Sequence, residues 1–134
     1  MSTVVEIYDG FYTLDPANDW WGLGLMLVAS SYTFDHTHTS VATSLISDEA
    51  SGSGYARISG LNIARSGSTP PAVDLILSAS GSTPAFAPLT TTDYRYAVVI
   101  KDDKPVLCID AGALQTLTDQ GLTISGTLLT ITGP

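Results

Sequence analysis

The residues best suited by type and spacing to chemistry are Asp35-His36-Thr37-His38. On an extended chain His36 and His38 project to one face, about 6–7 Å apart along the strand, which is a workable chelate. Asp48 and Glu49 would complete a metal site if the intervening loop folded back. The competing reading is a polar loop whose Asp and Thr side chains cap a following helical turn. The second reading is preferred, because the chain has only two His and its one Cys lies in an apolar run. His36 and His38 are thus the metal candidates, but no metal or other cofactor is expected.

Nucleophilic and acid–base chemistry have less to stand on. There is no G-x-S-x-G elbow, and Gly52-Ser53-Gly54 is too tight for one. Cys108 alternates with Val106 and Asp110, while Leu107 and Ile109 take the other face. A small, half-buried thiol is therefore expected rather than a reactive one. No glycine-rich phosphate loop precedes a helix. Asp74, Asp93 and Asp110 would have to converge in space to form the acid pair of a glycosidase. Any acidic chain offers such triples, so no catalytic residue is assigned and no enzymatic activity is expected.

Aromatic residues are the remaining candidates. Neighbours in a strand face opposite ways, so only one of Trp20 and Trp21 can join the strand's leucines. Alternation places Trp21 with Leu23 and Leu25, and Trp20 with the glycine face. Trp20 is then the candidate surface or intersubunit anchor. Tyr32 and Tyr55 join it as interface candidates, since three exposed aromatics would suit glycan adhesion.

The elements that must position these residues show mostly period-two alternation, broken every eight to twelve residues by turn signals. Strands are expected at Val4–Tyr8, Trp20–Val28, Tyr55–Ile58, Leu61–Arg65, Val73–Leu77, Leu122–Ser125 and Thr127–Ile131. Gly22 and Gly24 inside the second mark a close neighbouring backbone. Tyr94–Lys101, the turn Asp102-Asp103 and Lys104–Asp110 form the clearest hairpin. One helical turn is expected at about Thr39–Ile46, with Val41 and Leu45 on one face. The expected fold is all-β: one domain over residues 1–134, a β-sandwich or barrel of about eight or nine mostly antiparallel strands with one short helix.

Composition narrows the function classes. Only 13% of the 134 residues are charged, and 13 acids against 5 bases give a net charge of −8. That balance disfavours nucleic acid and anionic membranes, whose recognition depends on Lys and Arg. The apolar run Gly22–Ala29 falls well short of the about 20 residues of a spanning helix. No basic n-region precedes an apolar block, so no secretory signal is expected. Hydrophobic content of 44% argues against disorder.

Several segments in a fixed order then carry a resemblance. They are Leu25–Thr33, ending in Ser31-Tyr32-Thr33; Asp35–His38; and Ser51-Gly52-Ser53-Gly54-Tyr55. After them come Tyr94-Arg95-Tyr96-Ala97-Val98-Val99, Lys101–Leu107 and Asp110-Ala111-Gly112. In this order the chain resembles, over residues 20–131, small all-β virion structural proteins of tailed bacteriophages. Phe34 stands where that pattern has Pro, and the middle strands around Ile63 and Pro70 match it poorly. The resemblance implies a virion structural protein without enzymatic activity and does not fix its position in the particle. The leading expectation is a capsid decoration (cement) protein on the outer capsid surface, with the major capsid protein and further copies of this chain, as a trimer, for partners, and synthesis in the host cytoplasm. A neck, tail or fibre-base component is the alternative, and a carbohydrate-binding adhesion module a further one.

Overall fold

The run Leu23-Gly24-Leu25-Met26-Leu27-Val28 is apolar on both faces of its alternation, so as a strand it needs cover on both sides. A computed structural model shows how it is covered. It describes residues 4–14, 19–51, 55–66, 72–78, 85–89, 92–117, 120–123 and 127–132. The run forms β2 (Leu23–Val28), with β1 (Val4–Ile7) before it. After the short helix α1 (Val41–Ser44) come β3 (Ile58–Ser66), β4 (Ala72–Ser78) and β5 (Ala85–Leu89). Then follow β6 (Thr92–Lys101), β7 (Lys104–Leu117), β8 (Gln120–Thr123) and β9 (Thr127–Thr132).

The chain is mostly β, antiparallel and poor in helix. Strands pair in the order β1-β7-β6-β2-β3-β4-β9, and β5 pairs separately with β8. β2 is central, with Leu25 opposite Val99 of β6 on one edge and opposite Ile58 of β3 on the other. β3 pairs with β2 through its first half and with β4 through Asn62–Ser66, so it passes the ladder onward.

Two clusters lie on opposite faces of these central strands. Leu23, Leu25, Leu27, Val99 and Leu107 pack with Trp20, Leu61, Ile63 and Phe86. Met26, Val28, Val98, Ile100 and Cys108 pack with Tyr8, Tyr32, Val41 and Leu45. Each fully buried leucine contributes about 1.5–3 kcal/mol relative to exposure. Val41 and Leu45 do share the inward face of the helical turn, which Ser40 starts by accepting the Thr43 N–H at 3.3 Å.

Where the structure departs from the sequence reading, glycine geometry is usually the reason. Ser59-Gly60 does not end a strand. Gly60 has φ +71° inside one continuous β3, where the register against β2 shifts as at a bulge. Likewise β7 continues past Asp110-Ala111-Gly112: Tyr96 lies opposite Asp110 but Tyr94 opposite Gln115, so the intervening residues bulge out, with Gly112 at φ +89°. The two last strands pair with β5 and β4 rather than with each other. Ser125 and Gly126 between them, and Gly52-Ser53-Gly54, lie outside the described residues.

The close neighbour expected at Gly22 and Gly24 is present only at Gly24; Gly22 lies before β2, and the nearest group to a Cβ there is the Lys101 ammonium at 3.8 Å. A Cβ on Gly24 would meet Ile100 Cγ1 at 3.1 Å and the Ile58 carbonyl oxygen at 3.3 Å. Gly24→Ala should therefore overpack the centre and cost about 1–3 kcal/mol. Urea unfolding would register this as a lower midpoint at unchanged slope.

Candidate functional site

The extended chain assumed for His36 and His38 is not formed. The Asp35 carboxylate accepts from the Thr37 N–H at 2.9 Å and its hydroxyl at 2.6 Å, and the Asp35 carbonyl accepts from the His38 N–H. That turn sends the imidazoles to different partners. His36 Nδ1 lies 2.8 Å from an Asp9 carboxylate oxygen, and His38 Nδ1 lies 2.7 Å from the Tyr32 hydroxyl. The Asp9 hydrogen bond raises the His36 pKa above the ordinary histidine range. Asp48 accepts from Ser31, and Glu49 binds Arg57 and Tyr55, so neither folds toward the histidines. Among the described residues no three His, Cys, Asp or Glu side chains group as a metal site.

Trp20 and Trp21 are exchanged relative to the alternation argument. Trp20 is 9% exposed and packs with Phe11 at a ring separation of 6.5 Å, whereas Trp21 is 52% exposed. The cause is Gly22, whose φ of +67° breaks the strand phase between the tryptophans and Leu23. Trp20 therefore anchors this chain's own core rather than presenting a surface. Tyr32, at 3% exposed, is also interior. Its hydroxyl joins those of Tyr8 (2.8 Å) and His38 Nδ1 in one chain, with the Cys108 thiol beside Tyr8. Burial pushes the Tyr32 hydroxyl up to about 12 and raises Tyr8 further.

Tyr55 is half-buried and replaces part of a strand. Where β3 leaves β2, the Leu27 N–H donates to the Tyr55 hydroxyl at 3.0 Å, and that hydroxyl donates to Glu49 at 2.7 Å. Arg57 clasps the same carboxylate through two nitrogens. The three aromatic interface candidates are thus spent on internal contacts. They form no exposed row.

The acids proposed to converge do not do so where they are described. Asp93 accepts from Thr116 at 2.6 Å, and Asp110 binds Arg95 and the Gly112 N–H. Burial would raise the Asp110 pKa, but the Arg95 guanidinium outweighs it and the carboxyl stays below the ordinary range. The side chain of Asp74 lies outside the described residues. Cys108 is fully buried, and burial pushes its thiol up to about 12.

The surface that sequence reasoning missed surrounds the β6–β7 turn. Asp102 takes a left-handed φ of 55°, and Asp103 reaches across to the helix. Its carboxylate accepts from the Ser40 hydroxyl (2.6 Å) and Ala42 N–H (2.9 Å), and its carbonyl accepts from the Val41 N–H (2.7 Å). These bonds, the Ser40 hydroxyl first, hold the Asp103 pKa low. Lys101 Nζ donates to the Trp21 carbonyl at 2.7 Å and Lys104 Nζ to the Thr13 hydroxyl at 3.1 Å. Tyr12 and Trp21 are both well exposed. The available signal was the Asp9-Gly10 stop: it starts a 3-10 turn (Asp9–Thr13) that leaves Phe11 half-buried and Tyr12 outside.

No family model matches the chain, and neither curated proteins nor solved structures give a match. No helix among the described residues is long and apolar enough to cross a membrane.

Two measurements follow from this geometry. Burial both shields the Cys108 thiol from reagents and holds it protonated at pH 8. Iodoacetamide should label the native protein on the order of a thousandfold more slowly than the urea-unfolded chain. For Asp103 the folded pKa is depressed, so its stabilisation is present above the ordinary aspartate range and is lost as pH falls through the folded value. Asp103→Ala should lower Tm at pH 7, and the gap to wild type should close on acidification below that range.

Proposed function

We propose that this chain is a structural protein of a tailed-bacteriophage virion, a capsid decoration protein bound outside the head shell, without enzymatic activity. The observation that carries this reading is the ordered series of segments from Leu25–Thr33 to Asp110-Ala111-Gly112. Those segments supply many of the contacts that hold the fold. Tyr32 closes the buried hydroxyl chain, Tyr55 completes the edge of β2, Arg95 grips Asp110, and Asp103 secures the helix. A pattern made of such contacts supports a shared scaffold and a structural role rather than a shared active site.

The physical case is consistent with assembly. With few ions to desolvate, much of the surface can be buried against a shell or against other copies. The excess of acids keeps free copies soluble and complements a basic patch on the major capsid protein. In this reading the strands fold as a β-sandwich, and the chain works as a trimer at threefold positions.

The test is to mix purified protein with undecorated heads and sediment them. Saturable binding at a copy number set by the capsomer lattice is expected. No binding to heads, or binding confined to tails, overturns the decoration role, and the second outcome favours a neck or tail component.

A further inference from the structure

Strand β1 stands at the end of the ladder: β7 pairs one edge of Val4–Ile7, and no described strand pairs the other. The residue that follows β1 shows which way its backbone groups point. The Tyr8 N–H donates to the Val106 carbonyl of β7 at 3.1 Å, in register with the ladder. Glu6, two residues earlier, therefore also turns its N–H and C=O toward β7, and the odd-numbered residues turn theirs outward. Asp9 continues that outward set, since its N–H donates to the His36 carbonyl at 2.9 Å. Val5 and Ile7 are left with two donors and two acceptors along the outer edge. The His36 loop closes that edge at one end.

Such an edge is a template for another strand unless the chain blunts it. The usual devices are absent from β1, which carries no Lys, no Pro and no bulge. Its single charge is Glu6, a half-buried carboxylate without a hydrogen bond or ion pair among the described residues. Val5 and Ile7 turn their side chains to the other face, where they pack against the cluster around Leu25.

That carboxylate selects the occupant. A sheet continued across a two-fold axis pairs residues of like face. A second copy that used both bonding residues would therefore set Val5 against Ile7, and Glu6 against its own copy. The two Glu6 would form a non-hydrogen-bonded pair, the closer kind, with Cα atoms about 4.5 Å apart. Like charges directly opposite destabilise a sheet. Every other register of like faces keeps only one bonded pair within β1, and the net charge of −8 opposes self-association further. A cation opposite Glu6 removes the conflict and supplies the partner that the carboxylate lacks.

We infer that the outer edge of β1 takes up an antiparallel strand of another protein, with Lys or Arg opposite Glu6 and an apolar residue on either side. Main-chain bonds to Val5 and Ile7 supply affinity, and the Glu6 carboxylate supplies selectivity. This goes beyond the decoration reading and does not depend on it, and its test uses no virus particle.

The experiment titrates the isotope-labelled full chain with two disulfide-closed β-hairpin peptides and follows amide exchange by NMR. The outer strand of one reads Thr-Thr-Val-Lys-Val-Thr-Thr; the other has Glu at the centre. Closure holds the strand extended beforehand, which lowers the ordering cost of binding. In the free chain the Glu6 and Tyr8 amides, bonded to β7, should exchange slowly, and those of Val5 and Ile7 fast. Saturation with the lysine hairpin should slow Val5 and Ile7 by about tenfold or more. The glutamate hairpin should bind about fivefold more weakly. Glu6→Lys should reverse that preference at an unchanged unfolding midpoint; if the variant does not fold, the two hairpins on the wild-type chain decide alone. No protection of Val5 and Ile7 by the lysine hairpin at millimolar concentration overturns the inference, as does equal affinity for both hairpins. Protection of both amides in the dilute free chain also overturns it, because a segment of the chain itself then covers the edge. So does protection that rises with protein concentration in the absence of peptide, which assigns the edge to a second copy.

Discussion

Strand β2 has no side that can face water. Leu25 on one face and Met26 on the other are both completely buried, so cover must be found for each. On one face Trp20, Leu61, Ile63 and Phe86 provide it; on the other Tyr8, Tyr32, Val41 and Leu45 do. Much of that cover comes from segments outside the strands, and it brings polar atoms inside. A buried hydroxyl left without a partner costs about 1–3 kcal/mol, as much as burying a leucine gains. The Tyr8–Tyr32–His38 chain and the Leu27–Tyr55–Glu49 chain remove that cost. Among the described residues no buried side-chain nitrogen or oxygen lacks a partner.

The few charges are used in the same way. Arg57 and Arg95 each close on one carboxylate, and those pairs tie a loop or a bulge to the central sheet. Asp103 caps a helix more than sixty residues away in sequence. Lys101 and Lys104 instead donate to uncharged oxygens around the β6–β7 turn. That leaves a mixed-sign, hydrogen-bonding concavity on an otherwise acidic chain.

Much of the scaffold was legible in the residues. The β6–β7 hairpin followed from two β-rich runs around Asp102-Asp103, and the burial of Val41 and Leu45 from their four-residue spacing. Cys108, expected to be half-buried because it alternates with Val106 and Asp110, is fully buried, since Tyr8 and Tyr32 cover that face. The candidate site was not legible, for identifiable reasons. Alternation was carried from Leu23 back across Gly22, where a positive φ resets it, so the tryptophans were interchanged. His36 and His38 were placed on an extended chain, but the Asp35 side chain closes a turn between them. Ser59-Gly60 resembled a turn because a bulge and a turn use the same residue type.

By itself the sequence determined the antiparallel β character, the doubly apolar central strand and the scarcity of charge. These depend on the two-residue repeat of an extended chain and on composition, both of which are local. Only the tertiary structure decided which aromatic residues are spent on the core and which, Tyr12 and Trp21, remain outside. Only it gathered Thr13, Thr39 and Lys101–Lys104 around one cavity. The reason is physical: a single glycine torsion or side-chain hydrogen bond can reverse a residue's direction. Which of these forms depends on partners far away in the chain, brought near by the need to cover β2.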